Sequence, residues 1–221
     1  MKTILRVLVG SRAHGLHDES SDYDYRGVFV EPTSEILKLG SRTRTTSWIE
    51  HGDTGLTDDT AWEVAHFLHL ATKCNPSILE VFAAPVIEAN HWGRELQELL
   101  PYVWNPKAVR DAFIGYGLNQ RKKMLEDKDT RPAKYAYSYI RVLASGMSLL
   151  TTGAVLVDMR GHEVSETLQR FKTWDGVSKG EVIDVAERWQ QRIGEAAADC
   201  QHVPDLDYVN DYLLRLRQEY W

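Results

Sequence analysis

The residues that carry chemistry stand near the start of the chain. Gly10-Ser11-Arg12-Ala13-His14-Gly15 follows an apolar, β-branched run, and Ser21-Asp22-Tyr23-Asp24 comes next, with ten residues between Ser11 and Asp22. A Gly-Ser turn after a strand lets the backbone approach a ligand closely. Its N–H groups and the Ser11 hydroxyl can then hold phosphate oxygens where a helix begins. Asp22 and Asp24 alternate on a strand and so share a face, about 7 Å apart by strand rise. Two such carboxylates offer hard oxygens to magnesium or manganese. Alone, a Gly-Ser pair is usually just a turn and an Asp-x-Asp pair just solvated surface. At neighbouring strand ends the two devices together point to metal-assisted chemistry on a phosphate.

The elements that must position these residues are legible from periodicity. Thr3–Val9 predicts a strand, as does Tyr23–Val30 with Tyr23, Tyr25 and Phe29 on one face. Arg42–Glu50 is a weaker third strand, ended by a loop at Gly52 and Gly55. Thr60 with Glu63 forms a capping-box pattern and predicts a helix over 60–74, stopped by Asn75-Pro76. Ser77 with Glu80 is a further capping signal, and 78–86 completes the module. Helices are then expected from Asn105-Pro106 to about Glu126, from Pro132 to Leu150 with Gly153 as the stop, from Ser178 to about Asp199, and over Asp207–Tyr220. This predicts an α+β protein: a small mixed-sheet domain with helices at 1–90, followed by a helical domain at 91–221.

Composition narrows the classes. The chain has 221 residues, 43% hydrophobic and 26% charged, which suits one or two globular domains and excludes global disorder. No apolar run approaches a membrane span, and MKTILRVLVG is too short for a signal peptide, so a cytosolic protein is expected. Cys74 and Cys200 form neither a metal pair nor a disulfide framework. A net charge of −6 argues against tight, sequence-blind nucleic-acid binding. His66 and His69, three apart, lack a third ligand.

The Gly10-Ser11…Asp22-x-Asp24 pattern resembles the signature of the nucleotidyltransferase superfamily that includes DNA polymerase beta. With DDTAWEVAHFLHLATKCNPSILEV and KYAYSYIRVLASGMSLLTTG, it is similar to the RNA-repair-associated polymerase-beta-like nucleotidyltransferases of bacteria and phages. The resemblance covers residues 9 to about 157 in blocks. It implies a small mixed sheet with helices packed on it, and transfer of a nucleoside monophosphate from an NTP to an acceptor hydroxyl, with RNA as the expected acceptor. It also implies a third carboxylate from a later strand. Asp58 is the position chosen, with Asp59 and Asp53 as alternatives, so that Asp22, Asp24 and Asp58 would hold two Mg2+ or Mn2+ ions. Gly10, Ser11 and Arg12 would serve the phosphates. Lys134 and Arg141, seven apart on one helix face, would add cations, and Tyr137 on that face could stack on a base. Two other functions use the same signature or fold: addition of AMP to a partner protein, as in toxin–antitoxin pairs, and a catalytically silent nucleotide-binding module. A small-molecule acceptor of the aminoglycoside type is a further option.

Overall fold

The computed structural model describes residues 1–19, 21–40, 45–52 and 55–221, with the backbone alone within 47–52 and 55–58. It is α+β, with a five-stranded mixed sheet, and it divides into two compact units.

The first unit comprises Met1–Lys73, Ser77–Trp104 and Val203–Trp221. Its elements run β1 (Lys2–Val9), α1 (Gly10–Ala13), β2 (Tyr23–Val30), α2 (Thr33–Ile36), β3 (Thr45–Gly52), β4 (Gly55–Glu63), α3 (Val64–Thr72), α4 (Pro76–Ala83), β5 (Val86–Ala89), α5 (His91–Glu98) and α6 (Leu100–Val103). The strand order is β3-β4-β2-β1-β5. β1 pairs antiparallel with β2 and with β5, β2 runs parallel to β4, and β3 pairs antiparallel with β4. The core gathers Ile4, Leu5, Val7, Val28, Phe29 and Val30 from the sheet, with Val64, Phe67, Leu79 and Val81 from the helices, all at most 1% exposed. Full burial of each such side chain contributes roughly 1.5–3 kcal/mol.

The helix predicted to begin at Thr60 begins four residues later. Pairing with β2 extends β4 through Glu63, and this long-range ladder overrides the local capping-box signal. Glu63 is itself the cap, its carboxylate accepting from the Ala65 N–H at 2.8 Å.

The second unit comprises Cys74–Pro76 and Asn105–His202. It holds α7 (Pro106–Leu125), α8 (Pro132–Thr152), α9 (Ser165–Thr173) and α10 (Lys179–Asp199). The caps predicted at Asn105 and Ser178 form, accepting from Ala108 N at 2.9 Å and Glu181 N at 3.1 Å. α7 and α8 approach through reciprocal glycines. A Cβ on Gly117 would stand 2.8 Å from the Tyr139 ring, and one on Gly146 would stand 2.7 Å from the Phe113 ring.

These units divide the chain elsewhere than at residue 90. Residues 91–104 stay with the sheet, and the last helix, α11 (Leu206–Glu219), returns to it. The buried Tyr212 hydroxyl donates to the Trp92 carbonyl at 2.9 Å, and its ring meets Trp92 edge-on. Arg217 pairs with the buried Glu63 at 2.6 Å and donates to the Glu31 carbonyl at 3.2 Å. The hydrophobic periodicity of 207–220 shows a helix but not which neighbour it packs on.

Candidate active site

The β1–β2 register builds the centre of the site. Val9, the last residue of β1, lies opposite Asp24 in the ladder. The chain then turns at Gly10 with φ +72, the left-handed region that glycine enters without cost. A Cβ on Gly10 would overlap the Asp24 Oδ2 and stand 3.0 Å from its Cγ. Only a residue without a side chain lets the Asp24 carboxylate lie against the turn. Ser11 and Arg12 follow in α1, both half-buried, and the turn closes through the His14 N–H on the Gly10 carbonyl at 3.0 Å.

Arg12 is anchored within this site. Its Nε and Nη2 both donate to the Ser21 carbonyl, at 3.0 and 2.8 Å, and its guanidinium lies 3.9 Å above the Tyr23 ring. It thus ties the turn to the segment that leads into Asp22. Asp22 is exposed just before β2, and Asp24 is half-buried within it. Ser21 is held by Asp18, its hydroxyl donating to that carboxylate at 3.2 Å.

The candidates for the third carboxylate separate. Asp58 stands beside Asp24 in the parallel β2–β4 register, described in its backbone alone, whereas Asp59 stands beside Tyr25. Adjacent strand residues face opposite sides of a sheet. Asp59 is 1% exposed and pairs with Arg6 at 2.7 Å, and the Arg6 guanidinium lies 4.2 Å over the Tyr25 ring. Asp59 therefore faces away from Asp24 and already neutralises a cation. Asp53 lies outside the described residues.

Lys134, Tyr137 and Arg141 stand on α8 of the second unit. Their i, i+3, i+7 spacing brings them to one helix face, with Lys134 exposed and Tyr137 and Arg141 half-buried. So Gly10, Ser11, Arg12, Asp22 and Asp24 come together in the first unit, and the other three form a set of their own on α8.

One feature of the site escapes the spacing argument. His14 is 3% exposed, and its Nε2 lies 2.7 Å from Oε1 of Glu80, itself 8% exposed on α4. A carboxylate inside the apolar run Ile78-Leu79-Glu80-Val81-Phe82 is a signal in its own right, because a buried charge requires a partner. Nothing in the local sequence says that this partner lies 66 residues away.

The donor chemistry suits a divalent cation. Asp22 and Asp24 supply carboxylate oxygens at the start of β2, beside a turn whose missing Cβ leaves the Asp24 Oδ2 its place. Among the described residues, no three His, Cys, Asp or Glu side chains converge as a complete metal cage.

The amino-acid sequence matches a known family over residues 1–173. The chain belongs to the RNA repair pathway DNA polymerase beta family. The match takes in the Gly10 turn, Asp22, Asp24, Asp58 and the α8 residues. The uncharacterized protein YcgL of Bacillus subtilis (strain 168) is 30% identical over 146 residues, 65% of this chain. The match covers 55% of YcgL, so this chain spans about half the length of that curated relative. Among solved structures, a nucleotidyltransferase-like protein from Exiguobacterium sibiricum 255-15 aligns with 99% of this chain and 74% of its own, at a TM-score of 0.33 and 9% identity. Among the described residues, no helix is long and apolar enough to cross a membrane.

Proposed function

We propose that this protein is a metal-dependent nucleotidyltransferase that moves a nucleoside monophosphate from an NTP to an acceptor hydroxyl, with RNA as the acceptor. The observation that carries this reading is the seating of the Asp24 carboxylate against the side-chain-free Gly10, which joins a phosphate-holding turn to the Asp-x-Asp strand. The family's description points to RNA. The acidic net charge of −6 suits a structured or short acceptor better than long duplex DNA.

In this reading Gly10 and Ser11 receive the β- and γ-phosphates on backbone N–H groups and the Ser11 hydroxyl. Arg12 serves the nucleotide through the turn that it clamps to Ser21 and Tyr23. On α8, Lys134 and Arg141 offer the cations and Tyr137 the ring that a nucleotide's phosphates and base can use. Asp22, Asp24 and Asp58 are the residues that would hold Mg2+ or Mn2+. Bound there, such ions lower the pKa of an acceptor hydroxyl and offset charge on the leaving pyrophosphate. Asp58 is chosen over Asp59 because it shares the register position of Asp24, whereas Asp59 is paired with Arg6. The acceptor oxygen attacks the α-phosphorus in line, the bond to the α,β-bridging oxygen breaks, and pyrophosphate departs. Catalysis is then positioning and charge stabilisation, without a covalent protein intermediate.

The test is an acceptor panel. Each α-labelled NTP is incubated with the protein and Mg2+ or Mn2+ against total RNA, tRNA and cell protein. Label in an RNA band is the expected result. Label in a protein band would replace the RNA acceptor by a protein one, and NTP binding without any transfer would favour a silent module.

A further inference from the structure

We infer that the buried His14–Glu80 hydrogen bond is a positioning device that fixes the Gly10–Ser11 turn for the nucleotide phosphates, an inference that rests on the nucleotidyl-transfer reading. His14 is part of the turn's closure, since its backbone N–H bonds to the Gly10 carbonyl at 3.0 Å. Its side chain reaches Glu80 on α4 at 2.7 Å. α4 is itself firmly placed, with Leu79 and Val81 fully buried on either side of Glu80. The turn is therefore strapped at two points, by Arg12 to the approach to Asp22 and by His14 to α4.

At 2.7 Å one proton lies between Nε2 and Oε1, and a hydrogen bond to a carboxylate is of the stronger kind. His14 is 3% exposed, so its ring does not present a free edge to a phosphate in solvent. Its influence on a nucleotide must pass through the turn. The tolerance there is small, because the Asp24 carboxylate already fills the place of a Cβ on Gly10. An error of about 1 Å at a reacting centre can cost on the order of a hundredfold in rate.

The test uses the full chain and four variants: Glu80→Leu, Glu80→Gln, His14→Gln and the double variant His14→Leu/Glu80→Leu. Three quantities are read: melting temperature, amide hydrogen exchange of residues 11–15, and affinity and transfer kinetics with each NTP in Mg2+. The expected result for Glu80→Leu is exchange at least tenfold faster in the turn, with KM for the NTP rising at least tenfold and kcat falling less. Glu80→Gln and His14→Gln, which keep a donor–acceptor pair, recover most of both. The double variant removes both members of the pair together, so neither is left facing an apolar replacement, and it separates folding from positioning. It is expected to melt near the wild type and still to lose nucleotide affinity. Unchanged exchange and affinity in a folded double variant would overturn the inference. So would faster exchange with unaltered affinity, or failure of both leucine variants to fold, since the pair would then serve stability alone. A wild type that binds no NTP would instead sink the nucleotidyl-transfer reading, while the exchange measurement still reports whether the strap exists.

Discussion

The Asp24 carboxylate lies in the space that a side chain on Gly10 would need, with Oδ2 overlapping the position of that absent Cβ. Two residues fourteen apart in sequence are thus joined by the antiparallel register that sets Val9 opposite Asp24. Gly10→Ala meets two penalties, a left-handed φ of +72 and a collision with Asp24. Backbone strain of this kind costs about 1–3 kcal/mol. The variant is expected to lose roughly that in urea unfolding and at least a hundredfold in nucleotide transfer, which steady-state kinetics would check.

Asp58 and Asp59 should part company on substitution. Asp59 is buried against Arg6, and weakening its charge-assisted pair with Arg6, a third of which still reaches water, costs about 1–3 kcal/mol. Asp59→Asn is therefore expected to lower the melting temperature sharply. Asp58→Asn is expected to abolish transfer. Thermal melts and transfer assays on the two variants side by side decide between them, and a catalytically dead but stable Asp59→Asn would reverse the assignment.

The first unit should depend on the C-terminal helix. Arg217→Met leaves Glu63 buried and unpaired, and Glu63 is also the cap of α3. A loss of about 3–5 kcal/mol is expected in chemical unfolding. A change below about 0.5 kcal/mol would show that the pair contributes little.

Glycines of α7 differ in what surrounds them. A Cβ on Gly115 meets nothing within 4 Å, whereas one on Gly117 presses on Tyr139 at 2.8 Å. Gly115→Ala is expected to stabilise by up to about 1 kcal/mol through helix propensity. Gly117→Ala is expected to destabilise, because overpacking costs about 1–3 kcal/mol. Differential scanning calorimetry on the pair reads the sign of each.

The two thiols should differ in reactivity. Cys74 is fully buried, and that burial pushes its thiol pKa up, so little reactive thiolate is present near neutral pH. Cys200 is half-buried and free. Alkylation of the native protein is expected at Cys200 first, with Cys74 modified only on unfolding, as peptide mapping would show.

Much of this architecture is legible in the sequence because it rests on local signals. The two strands around the Gly10 turn, the caps at Asn105 and Ser178, and the helix expected over 207–220 all follow from periodicity and capping residues. What was not legible depends on contacts distant in sequence. The Thr60–Glu63 capping pattern yields to a strand because β2 pairs with it, and the short strand at 86–89 exists because β1 lies beside it. The return of α11 to the first unit rests on Tyr212 and Arg217 meeting residues more than a hundred positions earlier. At the site, Gly10, Ser11, Asp22 and Asp24 are visible as types at a spacing, and Arg12 is visible as a cation in the turn. That Arg12 spends its N–H groups on Ser21, and that His14 finds Glu80, needs the folded chain.

Nucleotidyl transfer by the Gly10–Ser11 turn with Asp22 and Asp24 fixes the fate of each phosphate of the NTP. Labelling one NTP at the α-phosphorus and, separately, at the γ-phosphorus tests it most directly, in the wild type and in Asp22→Asn/Asp24→Asn, with Mg2+ and with chelator. The expected result is α-label on the acceptor, γ-label released in pyrophosphate, and loss of both in the double variant and in chelator, with the fold intact by circular dichroism. Transfer of the γ-label, or α-label transfer that survives in the folded double variant, would contradict it.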